Sequence, residues 1–355
     1  SVASIGDVAF GGCASLTSVT ISDGVMSIGA YAFDRCESLT SVTIPGSVES
    51  IKNYAFEKCE SLTNVTIPEG VASIGDFVFL GCKNLTSVTI PESVTSIGFG
   101  AFIECTSLRS VMIPNGVTSI GPNAFRGCTG LISVTISDSV TSIGDNAFEK
   151  CTSLTSMTIP GSVKSIGGST FLNCTSLTNV TISKGVTSIG IGAFEGCKAL
   201  TSVTIPEGVT NIRDETFRNC ETLTGVMIPG SVTRIGTDAF NGCTGLTSVT
   251  IPCGVTKFGD RVFSGCKGLT SVVISDGVTT IGDCMFFGCT DLTDVRIPCS
   301  VNSIGSLAFV GCPSLTIVKY DGTKEEWGKI SMGEIDPDLK GKTIIGKNGD
   351  TWISE

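Results

Sequence analysis

The chain has 355 residues, 41% of them hydrophobic and 16% charged, and a formal net charge of −10. That is too apolar and too weakly charged for a disordered chain, and no stretch reaches the roughly 18 consecutive apolar residues of a membrane span. An acidic chain offers no basic footprint for nucleic acid, and the absence of His removes the commonest general base and metal ligand.

The chain opens at Ser1-Val2-Ala3-Ser4-Ile5, with no initiator Met and no signal-peptide pattern. It starts partway through a repeat, so it reads as a fragment or a processed product. The repeat then dominates. Cys stands at 13, 36, 59, 82, 105 and on to 312 in steps of 23, with Phe three residues before each and Leu three after. One unit, Leu39 to Cys59, shows the grammar L-x-x-V-x-I-P-x-x-V-x-x-I-G-x-x-A-F-x-x-C.

Within a unit, Val42-Thr43-Ile44 alternates apolar and polar, β-branched residues, which predicts a strand. Pro45 ends it, because Pro has no N–H for the next ladder bond. Nine of thirteen units carry Pro there, and Ser22, Ser137, Ser183 and Ser275 fill the others. A second, shorter strand is expected near Thr-Ser-Ile. The Gly that follows, as at Gly6, Gly29, Gly75 and Gly98, points to a turn with positive φ, although Lys52 and Arg213 occupy the same slot. Apolar residues at i, i+3 and i+6 in A-F-x-x-C-x-x-L predict a turn of 3₁₀ or α-helix. A unit this small cannot bury its own apolar face, but stacked units can. At about 4.8 Å per rung, some thirteen rungs make a sheet about 60 Å long. The expected fold is a repeat solenoid over 1–315.

From 316 to 355 the period is lost, and the segment is read as a C-terminal cap. Val318-Lys319-Tyr320 predicts a last strand. Thr323-x-x-Glu326 is a capping box for a short helix carrying Trp327. Thr343-Ile344-Ile345 and Thr351-Trp352-Ile353 flank a turn and predict a hairpin. Such a segment would cover the open edge of the last rung.

The repeat resembles the BspA-like, or Treponema pallidum-type, leucine-rich repeats. The resemblance rests on L-x-x-V-x-I-P followed by I-G-x-x-A-F-x-x-C at 23-residue spacing, and it covers residues 1 to about 315. Pro after the strand, where the common leucine-rich repeat has Asn, favours this subtype. The resemblance implies a right-handed solenoid with a parallel sheet on its concave face and short second strands and turns on the convex side. It also implies an extracellular or cell-surface protein, with family roles in adhesion to host proteins such as fibronectin and fibrinogen.

No residue pattern predicts catalysis, a cofactor or a metal site. The Cys ladder reads as a column of small buried hydrophobes, since no C-x-x-C pair or His accompanies it. Cys253, Cys284 and Cys299 lie off the ladder and read as free thiols, with Cys253 and Cys299 two rungs apart and too distant to bridge. Glu69, Glu92, Asp138, Glu207 and Asp276 sit in solvent-facing slots. Gly341-Lys342-Thr343 would end a phosphate loop, but Asp336 stands where its first Gly is needed. Sequons at Asn64, Asn84, Asn173 and Asn179 would matter only in a eukaryotic secretory pathway.

Outward positions of the main strand are mostly Thr and Ser, as at Thr17, Ser18 and Thr20. Departures from that lawn are the candidate binding residues: Arg109, Met112 and Ile132 as one patch, and Met227, Val273 and Arg296, with Asp294 and Lys319, as a looser set. Exposed Met and Arg are enriched at interfaces. The expected function is a non-enzymatic protein-binding module, an adhesin for a protein or glycoprotein ligand. The sameness of the rungs also allows a structural spacer, and the Thr arrays allow ice binding, which a curved solenoid suits poorly.

Overall fold

The computed structural model describes residues 2–333 and 338–354. Two compact units make up the chain, Ser1–Gly185 and Val186–Glu355, and the same rung repeats inside each.

In the first unit every complete rung carries a strand of three or four residues, such as Ser41–Thr43 and Ser110–Ile113, and a two-residue strand, such as Ser50–Ile51 and Ser119–Ile120. Pairing is parallel and in a register of one repeat: Val19 faces Val42, Val111 faces Val134, and on the second sheet Ile120 faces Ile143. Val and Ile point inward while Ser and Thr point out. The main strand is short because Pro or Ser follows it.

The A-F-x-x-C stretch departs from the expected helical turn. In the rung at 123–128 the N–H groups of Asn123, Phe125 and Gly127 each donate to the next rung, to the carbonyls of Asp145, Ala147 and Glu149, at 2.8 Å. The alternate N–H groups of Ala124, Arg126 and Cys128 close i→i−3 turns onto Gly121, Asn123 and Phe125. Turn bonds of the 3₁₀ kind are present, but every second one is diverted along the stack, so no helical run forms. The alternation puts two residues per rung at positive φ. Asn123 and Gly127 hold these places in this rung, and Tyr54 and Lys58, Asn146 and Lys150, or Asp238 and Gly242 hold them in others. A non-Gly residue there costs on the order of 1 kcal/mol, which the rung-to-rung bonds offset.

The Gly after Ile is a correction. Gly6, Gly29, Gly75 and Gly98 do not have positive φ. Their small size serves close approach between rungs instead. A Cβ on Gly98 would lie 2.7 Å from the Gly75 carbonyl carbon and the Ile74 oxygen, whereas Gly6, in the first rung, faces open space. Nothing in the structure explains why Lys52 and Arg213 are accommodated in that slot.

The interior is a set of columns. Phe33, Phe56, Phe79, Phe102, Phe125, Phe148 and Phe171 are fully buried in the first unit, with adjacent rings stacked at centroid distances of 5.1–5.6 Å. Phe217, Phe240, Phe263 and Phe286 repeat this in the second at 5.3–5.8 Å. Parallel rings farther apart than the strand spacing are offset-stacked, the favoured arrangement for aromatic quadrupoles.

The second unit ends differently. The strand Ile317–Tyr320 pairs parallel with Asp294–Ile297, and Thr343–Ile345 pairs parallel with it in turn. Thr351–Ile353 then closes the edge antiparallel, with Ile344 opposite Trp352. The helix Lys324–Trp327 has the full capping box: Thr323 accepts from the Glu326 N–H, and the Glu326 carboxylate accepts from the Thr323 N–H. Its Trp327 packs edge-on to Tyr320 at 5.2 Å.

Candidate protein-binding surfaces

Arg109, Met112 and Ile132 come from two adjacent rungs of the first unit. Ser110–Ile113 pairs with Ser133–Ile136, so Met112 stands beside Thr135, and the Ile132 N–H donates to the Arg109 carbonyl at 2.9 Å. Met112 is 70% exposed and Ile132 44%. Arg109 is exposed and forms no ion pair among the described residues.

The Thr column in which Arg109 and Ile132 stand is not a passive hydroxyl lawn. Thr40 donates its hydroxyl to the Thr17 carbonyl, Thr63 to Thr40, and Thr86 to Thr63, at 3.0–3.3 Å. Within the second unit Thr247 and Thr270 make the equivalent bonds, to the Thr224 and Thr247 carbonyls. These hydroxyls satisfy backbone acceptors at the rim of each strand. Arg109 and Ile132 have no hydroxyl, so two consecutive rungs forgo the ladder bond, worth about 0.5–1.5 kcal/mol each.

The second candidate set lies in the second unit and is more ordered than the sequence predicts. Thr204 faces Met227, Thr250 faces Val273, Val273 faces Arg296, and Arg296 faces Lys319. Met227, Val273, Arg296 and Lys319 therefore share one outward row. Met227 is 75% exposed and Val273 40%. The cations in the row are committed to neighbours: Arg296 Nε donates to Asp321 at 2.8 Å, and Lys319 Nζ to Asp294 at 2.6 Å. Only the apolar members of this row face solvent without a polar partner.

Two groups escaped the sequence reading. Tyr31, Tyr54 and Phe77 occupy the first positive-φ position of successive rungs and stack at 4.6 and 4.8 Å, with Phe99 tilted against the end of the row. Gly100 holds that position in the fourth rung, and a Cβ there would strike the Phe77 ring at 2.7 Å. In the second unit Asn211, Arg234 and Lys257 align on the short strands, where other rungs have Ser. With Arg213 they make an exposed basic cluster in an acidic chain, without ion pairs among the described residues. Both groups were detectable as departures from the 23-residue consensus, but off the main strand, where the candidate residues were sought.

The Cys column is buried from Cys36 to Cys312. Each buried thiol has a backbone partner: Cys59 Sγ donates to the Phe33 carbonyl at 3.1 Å, Cys128 to Phe102 and Cys243 to Phe217 likewise. The acceptor carbonyl already closes a turn within its own rung, so the thiol is its second donor. Cys is small enough for the column and can still donate a weak hydrogen bond. Burial pushes the thiols up, to about 11 at Cys36 and about 12 at Cys174 and Cys243. Cys13, Cys253 and Cys299 are exposed, and Cys284 is half-buried. Native protein is therefore expected to titrate three thiols rapidly with a chromogenic disulfide and Cys284 slowly. The thirteen buried thiols should respond only in denaturant. Rapid reaction of more than four in the native state would contradict the packed column.

Glu69, Glu92, Asp138, Glu207 and Asp276 are all exposed. Among the described residues no group of His, Cys, Asp and Glu is arranged to hold a metal, and no helix is long and apolar enough to cross a membrane. Asp336 lies outside the described residues.

The BspA type leucine-rich-repeat family matches residues 1–109, 95–224 and 210–331, nearly the whole array. The chain belongs to that family. A leucine-rich-repeat protein from Bacteroides ovatus is 29% identical with a TM-score of 0.76, the likeness covering 97% of this chain and 87% of that one. A leucine-rich cell surface protein from Faecalibacterium prausnitzii is 32% identical, with a TM-score of 0.54 and coverage of 89% and 90%. A leucine-rich-repeat protein from Eubacterium ventriosum is 25% identical, with a TM-score of 0.50 and coverage of 85% and 84%. No curated protein matches the sequence. For a BspA type chain the repeat suggests a protein-interaction module on a scaffold that is typically non-enzymatic.

Proposed function

We propose that this chain is a cell-surface adhesin that recognises a host or extracellular-matrix protein through the outward face of its main strands. The observation that carries the reading is the patch at Arg109, Met112 and Ile132. An unpaired cation and two exposed apolar side chains occupy adjacent rungs, at the cost of two ladder hydrogen bonds that the usual Thr would make. Met and Arg are enriched in interface cores. The similar cell surface protein of Faecalibacterium prausnitzii supports the location. Met227 and, two rungs further on, Val273 with Arg296 beside it offer further exposed apolar side chains for the same use.

The test is surface binding of the purified chain to a panel of matrix and plasma glycoproteins, fibronectin and fibrinogen among them. An Arg109→Glu, Met112→Glu double variant runs alongside. Both side chains are exposed, so the variant should melt as the parent does. Its affinity should fall at least tenfold if the patch holds interface anchors. Undiminished binding in the variant would remove the patch from the interface. No binding to any glycoprotein would favour the alternative that the uniformity of the Thr and Ser rows supports, a spacer that holds another domain away from the surface.

A further inference from the structure

The short strands of the second unit carry a run of consecutive departures. At their outward position every earlier rung has Ser, from Ser4 to Ser188, and Thr280 and Ser303 follow. Between them stand Asn211, Arg234 and Lys257, paired in register on adjacent strands. Arg213 adds a cation in the slot that is usually Gly. All four residues are exposed.

Asn211, Arg213 and Arg234, with Asp214, Ile191 and Ile212, line a hollow of about 270 Å³. Asp214 is committed, because its Oδ1 accepts from the Thr237 N–H at 2.9 Å. Asp260, in the Lys257 rung, lies beside Arg261. No carboxylate forms an ion pair with Arg213, Arg234 or Lys257 among the described residues. Asn211 donates one N–H to the Thr210 hydroxyl at 3.0 Å, and its amide has a second to offer.

Cations on neighbouring rungs stand about 4.8 Å apart and repel each other. Three of them face solvent here in a chain whose net charge is −10, and an anion laid over them would relieve that repulsion. Guanidinium forks suit oxyanions, but one oxyanion reaches only part of a row that spans about 9.6 Å over three rungs. A linear chain with closely spaced anionic groups fits the whole row. The described lining has no aromatic side chain on which a nucleobase could stack. Its apolar wall is Ile191, 49% exposed, which can meet the C–H face of a sugar ring.

We infer that this row binds a linear sulfated polysaccharide laid along the direction of stacking. Its sulfate groups accept from Arg213, Arg234 and Lys257, and Asn211 donates beside them. The row shares no residue with the surfaces proposed for protein recognition, so the two readings stand or fall separately.

The test is binding of the full chain to immobilised heparin. Binding should be saturable and should weaken as salt rises. Arg213→Gly, Arg234→Ser and Lys257→Ser each install the residue that other rungs carry, so the variants should melt as the parent does. Each should bind about tenfold more weakly, and the triple variant at least about a hundredfold. Lys347→Ser, which removes an exposed cation outside the row, should bind as the parent does. Desulfated heparin should compete poorly. No saturable binding, an equal loss in Lys347→Ser, or undiminished competition by desulfated heparin would overturn the inference. Equal affinity for single-stranded oligodeoxythymidine would also overturn it, by making the row a nucleic-acid site.

Discussion

Phe125→Ala is expected to lower the unfolding free energy by about 3–5 kcal/mol, the usual cost of emptying a buried aromatic site. Phe125 is fully buried, and its ring stacks on Phe102 at 5.1 Å and on Phe148 at 5.4 Å, nearly parallel to both. Ala would leave a gap in the middle of a column, and each neighbouring ring would lose one of its two faces. In a stacked array stability is a sum of rung and nearest-neighbour terms, so a broken interface should also uncouple the rungs on its two sides. Urea denaturation should then show a broadened or two-step transition. Phe10 supplies the contrast: it is 40% exposed and stacks on Phe33 alone. Phe10→Ala should cost roughly 1 kcal/mol, in keeping with the smaller apolar area it removes. Equal costs at the two positions would rule out the nearest-neighbour account.

Arg261→Ala is expected to cost about 2–3 kcal/mol at neutral pH and much less in acid. Asp238 and Arg261 hold the first positive-φ position of adjacent rungs in the second unit. The Asp238 side chain is 9% exposed and accepts from Arg261 Nε at 3.0 Å, Arg261 Nη2 at 2.9 Å and Asn241 Nδ2 at 2.7 Å. Burial by itself would raise its pKa, but the Arg261 fork and the Asn241 amide outweigh burial and hold the carboxyl below its ordinary value. A carboxyl depressed in this way adds stability above its unfolded pKa, and that stability is lost as pH falls through the folded value. Removing the arginine leaves a buried carboxylate short of partners, which costs about 3–5 kcal/mol for fully buried pairs. The guanidinium is 48% exposed, and solvent screening reduces the figure. Chemical denaturation of parent and variant at about pH 7 and pH 2 provides the check. A penalty as large in acid as at neutrality would mean that Arg261 acts through packing of its alkyl stem rather than through its charge.

The candidate residues differed in how far sequence alone could carry them. Arg109, Met112 and Ile132 were legible because a repeat this regular makes every departure stand out. The strand period then fixed their outward direction, and two of them proved 70% and 44% exposed. Arg296 was legible as a position but not as one half of an ion pair. Its partner Asp321 stands 25 residues on, in the segment where the period has ended. No spacing rule within the repeat could pair them. The stacked Tyr31, Tyr54 and Phe77 were missed because they stand just before the A-F-x-x-C stretch, at a turn position whose side-chain direction the repeat pattern does not assign.

What the sequence determined by itself is the rung. Fourteen Phe, Cys and Leu positions at a strict 23-residue interval dictate a stacked array, because a unit of that size can bury those residues only against its neighbours. Alternating Val and Ile set the strand, Pro ended it, and Thr323 with Glu326 set the terminal helix through contacts three residues apart. The tertiary structure alone decided how each turn satisfies its backbone. Positive φ at Asn123 or Lys150, the thiol of Cys59 on the Phe33 carbonyl, and the close approach that keeps Gly98 small all depend on a partner 22–26 residues away. Their physical cause is the same. Parallel rungs bring equivalent backbone groups within hydrogen-bond distance of each other, and that proximity exists only after stacking.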